Sequence, residues 1–137
     1  MMTYASRAIM RTNMVEVLAT DEFTGWYEGL DEGDADAVTR VVGLLEAMGV
    51  TLGSPHSSQI KGSKVALREL RVQSHGKPLR VFYVFDPKRR AVLLVGGDKT
   101  GDNRFYEEQV PLAEKVYAKH LADEAAKEGP KKGQKKK

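Results

Sequence analysis

The sequence predicts an α+β domain, a helical hairpin packed on a small antiparallel sheet in the order β-α-α-β-β-β-α. Two apolar stripes at helical spacing precede three strand-like runs, and the linkers between those runs are too short for a parallel return. A last helical stripe closes the pattern. The 137 residues suffice for one modest core and not for two.

Residues 1–13 are expected to form a flexible leader. They carry Arg7 and Arg11 but lack the apolar stretch of a secretion signal, and Met14 is a second candidate initiator. Residues 14–18 read as a short strand. Phe23, Trp26, Tyr27 and Leu30 then fall at i, i+3, i+4 and i+7, one face of a two-turn helix with Thr20 or Asp21 as candidate cap. Gly33 breaks the pattern. A second helix is expected over residues 34–48, with Val38, Val41, Val42, Leu45 and Met48 on one face. Asp34 would accept from its first free amides, and Gly49 suits a left-handed exit.

Residues 53–63, rich in Gly, Ser and Pro, read as a loop. Strands are expected over 67–72, 79–85 and 91–97, with turn chemistry in the linkers 74–78 and 86–90. The final helix carries Val110, Ala113, Tyr117 and Leu121. Pro111 is placed in its first turn and residues 103–108 in a separate turn before it. The folded domain is thus expected over 14–126, followed by a disordered lysine-rich tail, 127–137.

The chain has no cysteine, so disulfides and thiolate metal sites are excluded. No apolar run approaches the roughly 18 residues of a membrane-spanning helix. The formal charge of +3 divides unevenly, because the tail from Lys127 carries +5 and leaves residues 1–126 at −2. Within that body, residues 14–48 hold nine acids against one base, Arg40, whereas residues 61–104 hold eleven bases against four acids. Such segregation predicts one surface built for polyanions and another that repels them.

Strand alternation then nominates the residues of the basic surface. Leu67, Glu69 and Arg71 share one face of their strand, and Arg80, Phe82 and Val84 share one face of the next. If the helices cover one side of the meander, the other is a solvent-facing basic floor. Arg71 and Arg80 would form it with Glu69 beside them, and Lys61, Lys64 and Lys77 would lie at its rim. Gly96 and Gly97 would let the backbone approach a ligand, and the segment after them delivers Lys99, Arg104 and Tyr106 to one end of the sheet. This glycine spacing matches no phosphate-loop or dinucleotide signature.

The runs Leu67-Arg68-Glu69-Leu70-Arg71, Leu79-Arg80-Val81-Phe82-Tyr83-Val84-Phe85 and Val92-Leu93-Leu94-Val95-Gly96-Gly97-Asp98-Lys99-Thr100 resemble the core of the RelE/ParE toxin superfamily. The likeness is greatest to its phage-derived Gp49-like, HigB-type branch and covers about residues 15–121. It implies a RelE-like fold and a cytoplasmic toxin of a type II toxin–antitoxin pair. It also implies cleavage of ribosome-bound mRNA without metal or cofactor, and a cognate antitoxin that is often a helix-turn-helix DNA-binding protein. Carried over by position, Arg80 falls on the conserved strand arginine, Arg71 on a basic position and Lys99 on a late basic residue. Tyr106 aligns loosely with an aromatic or acid–base group. Glu69 stands where several relatives carry a base, and the histidines of some HigB toxins have no counterpart among His56, His75 and His120, which are expected at the surface.

RNA cleavage of this kind uses the substrate's own 2′-hydroxyl, so the protein need only align, transfer protons and stabilise charge. Arg71 and Arg80 are the expected phosphate grips, and Lys99 or Tyr106 the proton carriers. Lys61, Lys64, Lys77 and Arg104 are expected to bind RNA, and the tail, a solvated extension, would add sequence-independent attraction to ribosomal RNA. The plainer readings are a surface ion pair of Arg71 with Glu69 and a core role for Tyr106. Two other functions share the fold: a ParE-like gyrase inhibitor without nuclease activity, and a catalytically decayed antitoxin-binding member.

Overall fold

The computed structural model describes the backbone of residues 14–136 and the side chains through residue 128. The expected leader, residues 1–13, lies outside the described residues. The elements are β1 (Val17–Ala19), α1 (Asp21–Glu28), α2 (Glu32–Met48), β2 (Ser57–Gln59), β3 (Arg68–Ser74), β4 (Lys77–Phe85), β5 (Ala91–Asp98) and α3 (Phe105–Lys136). The five strands lie in the order β1-β5-β4-β3-β2. The predicted meander is β3–β4–β5, antiparallel throughout. β1 joins as a parallel edge beside β5, and β2 as an antiparallel edge beside β3. β2 falls inside the segment expected to be a loop. Its three polar residues have no pattern of their own and are strand only because β3 offers them a partner.

Thr20 caps α1, its hydroxyl oxygen accepting from the Phe23 amide at 3.0 Å while its hydroxyl donates to the Leu94 carbonyl at 2.8 Å. The cap of α2 is Asp31 rather than Asp34, since Asp31 Oδ1 accepts from the Asp34 amide at 2.8 Å. Asp34 sits one turn inside, buried, and its carboxylate takes the Ser74 hydroxyl at 2.6 Å and the Lys77 ammonium. Gly49 ends α2 at φ 59°, the left-handed region a Cβ disfavours. α3 begins at Phe105, so Pro111 lies inside the helix and not in a first turn after a separate one. Its backbone runs on to Lys136 through the segment expected as tail, whose side chains from 129 onward are outside the described residues.

Both faces of the sheet are covered. Phe23 of α1 and Val38, Val41 and Leu45 of α2 pack on Leu70, Val72, Leu79, Val81, Tyr83 and Leu93. On the other face, Phe105, Ala113 and Val116 of α3 pack on Leu67, Phe82, Val84, Val92 and Leu94. A register shift between Phe82 and Tyr83 turns both Leu94 and Val95 toward α3, enriching that side in branched apolar groups. The expected open basic floor is therefore reduced to the end of the sheet that α3 leaves uncovered. Apolar side chains claim the rest.

The glycine pair of β5 serves packing. A Cβ on Gly96 would stand 2.2 Å from Trp26 Cε3, and one on Gly97 would stand 2.8 Å from Phe105 Cε1. Each glycine is a seat for an aromatic ring from one helical layer, not an approach path for a ligand. Gly96→Ala is expected to destabilise the fold by about 1–3 kcal/mol, the usual cost of overpacking, read from the midpoint of urea unfolding. An unchanged midpoint would mean that Trp26 can move aside.

Candidate functional site

Strand register builds the site. Arg71 and Arg80 are directly opposed cross-strand partners, as are Glu69 and Phe82, so Glu69, Arg71 and Arg80 share the α3 face. Like charges directly opposite each other destabilise a sheet unless something neutralises them. Glu69 does so, two residues before Arg71 and 4% exposed. Its Oε2 lies 3.3 Å from Arg71 Nε and accepts the Ser58 hydroxyl at 3.2 Å. Its Oε1 lies 3.5 Å from Arg80 Nε and accepts the Tyr106 hydroxyl at 2.7 Å. The residue read from sequence as a departure is the hub that holds the others.

Gly97 decides how Tyr106 arrives. It is the cross-strand partner of Arg80 on β4, and its bare Cα receives the Phe105 ring. The next residue of α3, Tyr106, is thereby delivered to Arg80, whose Nε donates to the phenol oxygen at 3.4 Å. Burial first, and then the bond to Glu69, raise the Tyr106 pKa above its ordinary value, while Arg80 opposes the rise. The phenol therefore keeps its proton at neutral pH. It is a donor, not a base. Lys99, after β5, places its ammonium 5.8 Å from the centre of the Tyr106 ring.

The guanidinium groups are only partly consumed. Arg71 uses Nε and Arg80 uses Nε and Nη1, the latter donating to the Leu79 carbonyl at 3.0 Å. Among the described residues, both terminal nitrogens of Arg71 and Nη2 of Arg80 have no acceptor. Beside Arg71 opens a cleft of about 520 Å³ lined by Ser58, Lys61, Glu69, Arg71, Tyr106 and Pro111. Its size and convergent polar groups suit a nucleotide-sized ligand.

The sequence-derived residues divide accordingly. The structure brings Arg71, Arg80, Lys99 and Tyr106 together and puts Lys61 on the cleft wall. Lys64 is exposed and tied by its amide to Glu114 at 2.7 Å. Arg104 is exposed and paired with Glu107 at 3.0 Å. Lys77 lies on the opposite face, where it neutralises buried Asp34, because the Ser74–Lys77 pair belongs to the α2 side of the sheet. It does not belong to the rim. His75 is exposed beside Asp34, but His120 is not a surface residue: its side chain is 12% exposed and its Nε2 lies 2.9 Å from Asp86 Oδ2. Alternation put Glu69 beside Arg71 and Arg80, but sequence reasoning missed its role as their common anchor, and it missed Ser58, which needed β2.

Among the described residues no three metal-ligating side chains converge, and no helix is long and apolar enough to cross a membrane. Residues 25–118, which include Ser58, Glu69, Arg71, Arg80, Lys99 and Tyr106, match the family model described as phage-derived protein Gp49-like. The chain is 34% identical over 105 residues to HigB2, a candidate toxin of Mycobacterium tuberculosis, a match covering 74% of this chain and 52% of that one. It is 34% identical over 110 residues to HigB3, a candidate toxin of the same organism, covering 79% of this chain and 95% of the relative. It thus spans about half the length of the first relative and nearly all of the second.

Proposed function

This chain belongs to the phage-derived Gp49-like family, among the HigB-type toxins of toxin–antitoxin pairs, and from that premise we propose that it is a metal-independent endoribonuclease acting on ribosome-bound mRNA in the cytoplasm. A cognate antitoxin, of the helix-turn-helix DNA-binding kind, holds it in check. The observation that carries the reading is the directly opposed Arg71–Arg80 pair, locked by one buried carboxylate, with terminal nitrogens left unbonded and a cleft beside Arg71.

In the reaction the RNA 2′-hydroxyl attacks the adjacent phosphorus and the bond to the 5′-oxygen breaks, leaving a 2′,3′-cyclic phosphate and a 5′-hydroxyl. The nucleophile gives its proton to solvent water, and the leaving oxygen takes one from the protein. The free nitrogens of Arg71 and Arg80 grip the nonbridging oxygens, a task suited to a planar fork that stays charged. Tyr106, held protonated, donates toward the leaving oxygen, with the Lys99 ammonium beside its ring. Glu69 has both oxygens occupied by Ser58, Arg71, Arg80 and Tyr106, so its role is positioning.

Induction of the chain without antitoxin, followed by mapping of mRNA 5′ ends, tests the function. New codon-phased ends with 5′-hydroxyls are expected. Intact mRNA with broken DNA would instead establish a gyrase inhibitor, and neither lesion would establish a member without catalysis. Tyr106→Phe is expected to slow single-turnover cleavage by about 10²-fold, the lower range for a lost proton donor. An undiminished rate would remove the phenol from the chemistry.

A further inference from the structure

We propose that the cavity between α2 and the exposed edge of β3 is a second RNA subsite, holding the nucleotide next to the scissile one and reading its base. The inference rests on the nuclease reading and extends it to specificity. β2 pairs with β3 as far as Ser57↔Leu70, the His56 carbonyl accepts from the Arg71 amide at 2.8 Å, and among the described residues no strand pairs with β3 beyond that point on this side. A cavity of about 440 Å³ remains, lined by Arg40, Leu44, His56, Arg71, Gln73 and Arg80. Arg71 lines both this cavity and the cleft at Glu69, so the two are neighbours across one side chain.

Its polar groups are unspent. Among the described residues, the side chains of Arg40, His56 and Gln73 have no hydrogen bond or ion pair. Arg40 is the one base among the nine acids of residues 14–48. Asp36 stands four residues before it on α2, the spacing at which helical ion pairs form, yet no pair forms. The acidic hairpin thus carries a single cation, and that cation faces the two arginines of the site. Glu69 compensates Arg71 and Arg80 but not Arg40, so three guanidinium groups around the cavity share one carboxylate and leave room for an anion.

The occupant chemistry follows from these groups. Three arginines call for a phosphodiester. The His56 imidazole offers a stacking face and the Gln73 amide a donor and an acceptor for a base edge, the means by which single-stranded RNA is read. Shared use of Arg71 sets the spacing, because one guanidinium can bridge consecutive phosphates. A strand crossing the β3 edge passes from one compartment to the other.

The test uses the full chain and a 2′-O-methyl pentanucleotide, which has no hydroxyl with which to be cut. Titration is expected to shift the Gln73 side-chain amide and the Arg40 Nε resonances in ¹H–¹⁵N spectra. Arg40→Ala is expected to weaken binding about tenfold and to reduce the salt slope of log Kd by about 1, the signature of one lost phosphate contact. In the end-mapping experiment, Gln73→Ala is expected to flatten base preference at a position flanking the cut while cutting continues. Unmoved resonances, or an unchanged salt slope and cleavage profile in both variants, overturn the subsite even where cleavage stands. Oligonucleotide binding with these signatures, but without any cut RNA in cells, supports the subsite and rejects the nuclease reading.

Discussion

Arg80→Ala is expected to abolish toxicity, lowering RNA cleavage by about 10²–10³-fold, the cost of removing one preorganised donor from developing charge. Arg80 is suited to this effect because it is fixed on every side but one. Its Nε faces Glu69 and Tyr106, its Nη1 is bound to the Leu79 carbonyl, and its side chain is 12% exposed. Only Nη2 remains for substrate. Arg71 is looser, with a side chain 44% exposed and Nε alone engaged. Its alanine variant should therefore lose less. Arg80→Lys separates charge from geometry, since a lysine keeps the cation but cannot offer the fork. Single-turnover cleavage of ribosome-bound message, with circular dichroism to confirm folding, reads the result. A folded Arg80→Ala protein of full activity would reject the assignment.

The second large effect concerns the opposite end of the sheet and is one of stability. Asp86, just after β4, is 4% exposed and organises the turn to β5. Oδ1 accepts from the amides of Lys88 and Arg90, each at 3.0 Å. Oδ2 accepts from Arg90 Nε at 3.1 Å and Nη2 at 2.7 Å, and from His120 Nε2 at 2.9 Å. The last contact pins α3 to the sheet. Asp86→Asn presents an amide NH₂ where Arg90 and His120 need an acceptor, leaving the nearly buried Arg90 with Glu124 as its one carboxylate. The expected loss is about 3–5 kcal/mol in urea unfolding. A loss under about 1 kcal/mol would show that Arg90 and His120 find equal partners, with Glu124 at 3.0 Å from Arg90 the nearest.

The same carboxylate sets an acid limit. Burial alone would raise the Asp86 pKa, but the bonds from Arg90 and His120 bring it down to about 2, below its ordinary 3.8. The stability it contributes is therefore present above about pH 4 and lost as pH falls toward 2. Wild-type protein should show this loss between pH 4 and 2, and Asp86→Asn should lack it. Persistence of the acid transition in the variant would assign it to other carboxylates.

The helices and the three long strands were legible in the sequence because each rests on local chemistry. The stripe Phe23, Trp26, Tyr27 and Leu30, the alternation along residues 67–85 and the turn residues between strands are periodic, and periodicity survives without knowledge of partners. Arg71 and Arg80 were legible on one face for the same reason, since a side chain's face is fixed by counting in twos. Three further facts were settled only by tertiary structure. β2 is three residues long, lies in a segment expected to be a loop, and takes strand form from its neighbour. α3 covers the face expected to be open because Gly97 seats Phe105. Glu69 became the hub of the site, and Lys77 left it, because cross-strand register assigned each charge a partner. Counting along a chain gives the face on which a side chain lies. What that side chain meets there depends on segments far away in sequence, brought beside it only when the whole core closes.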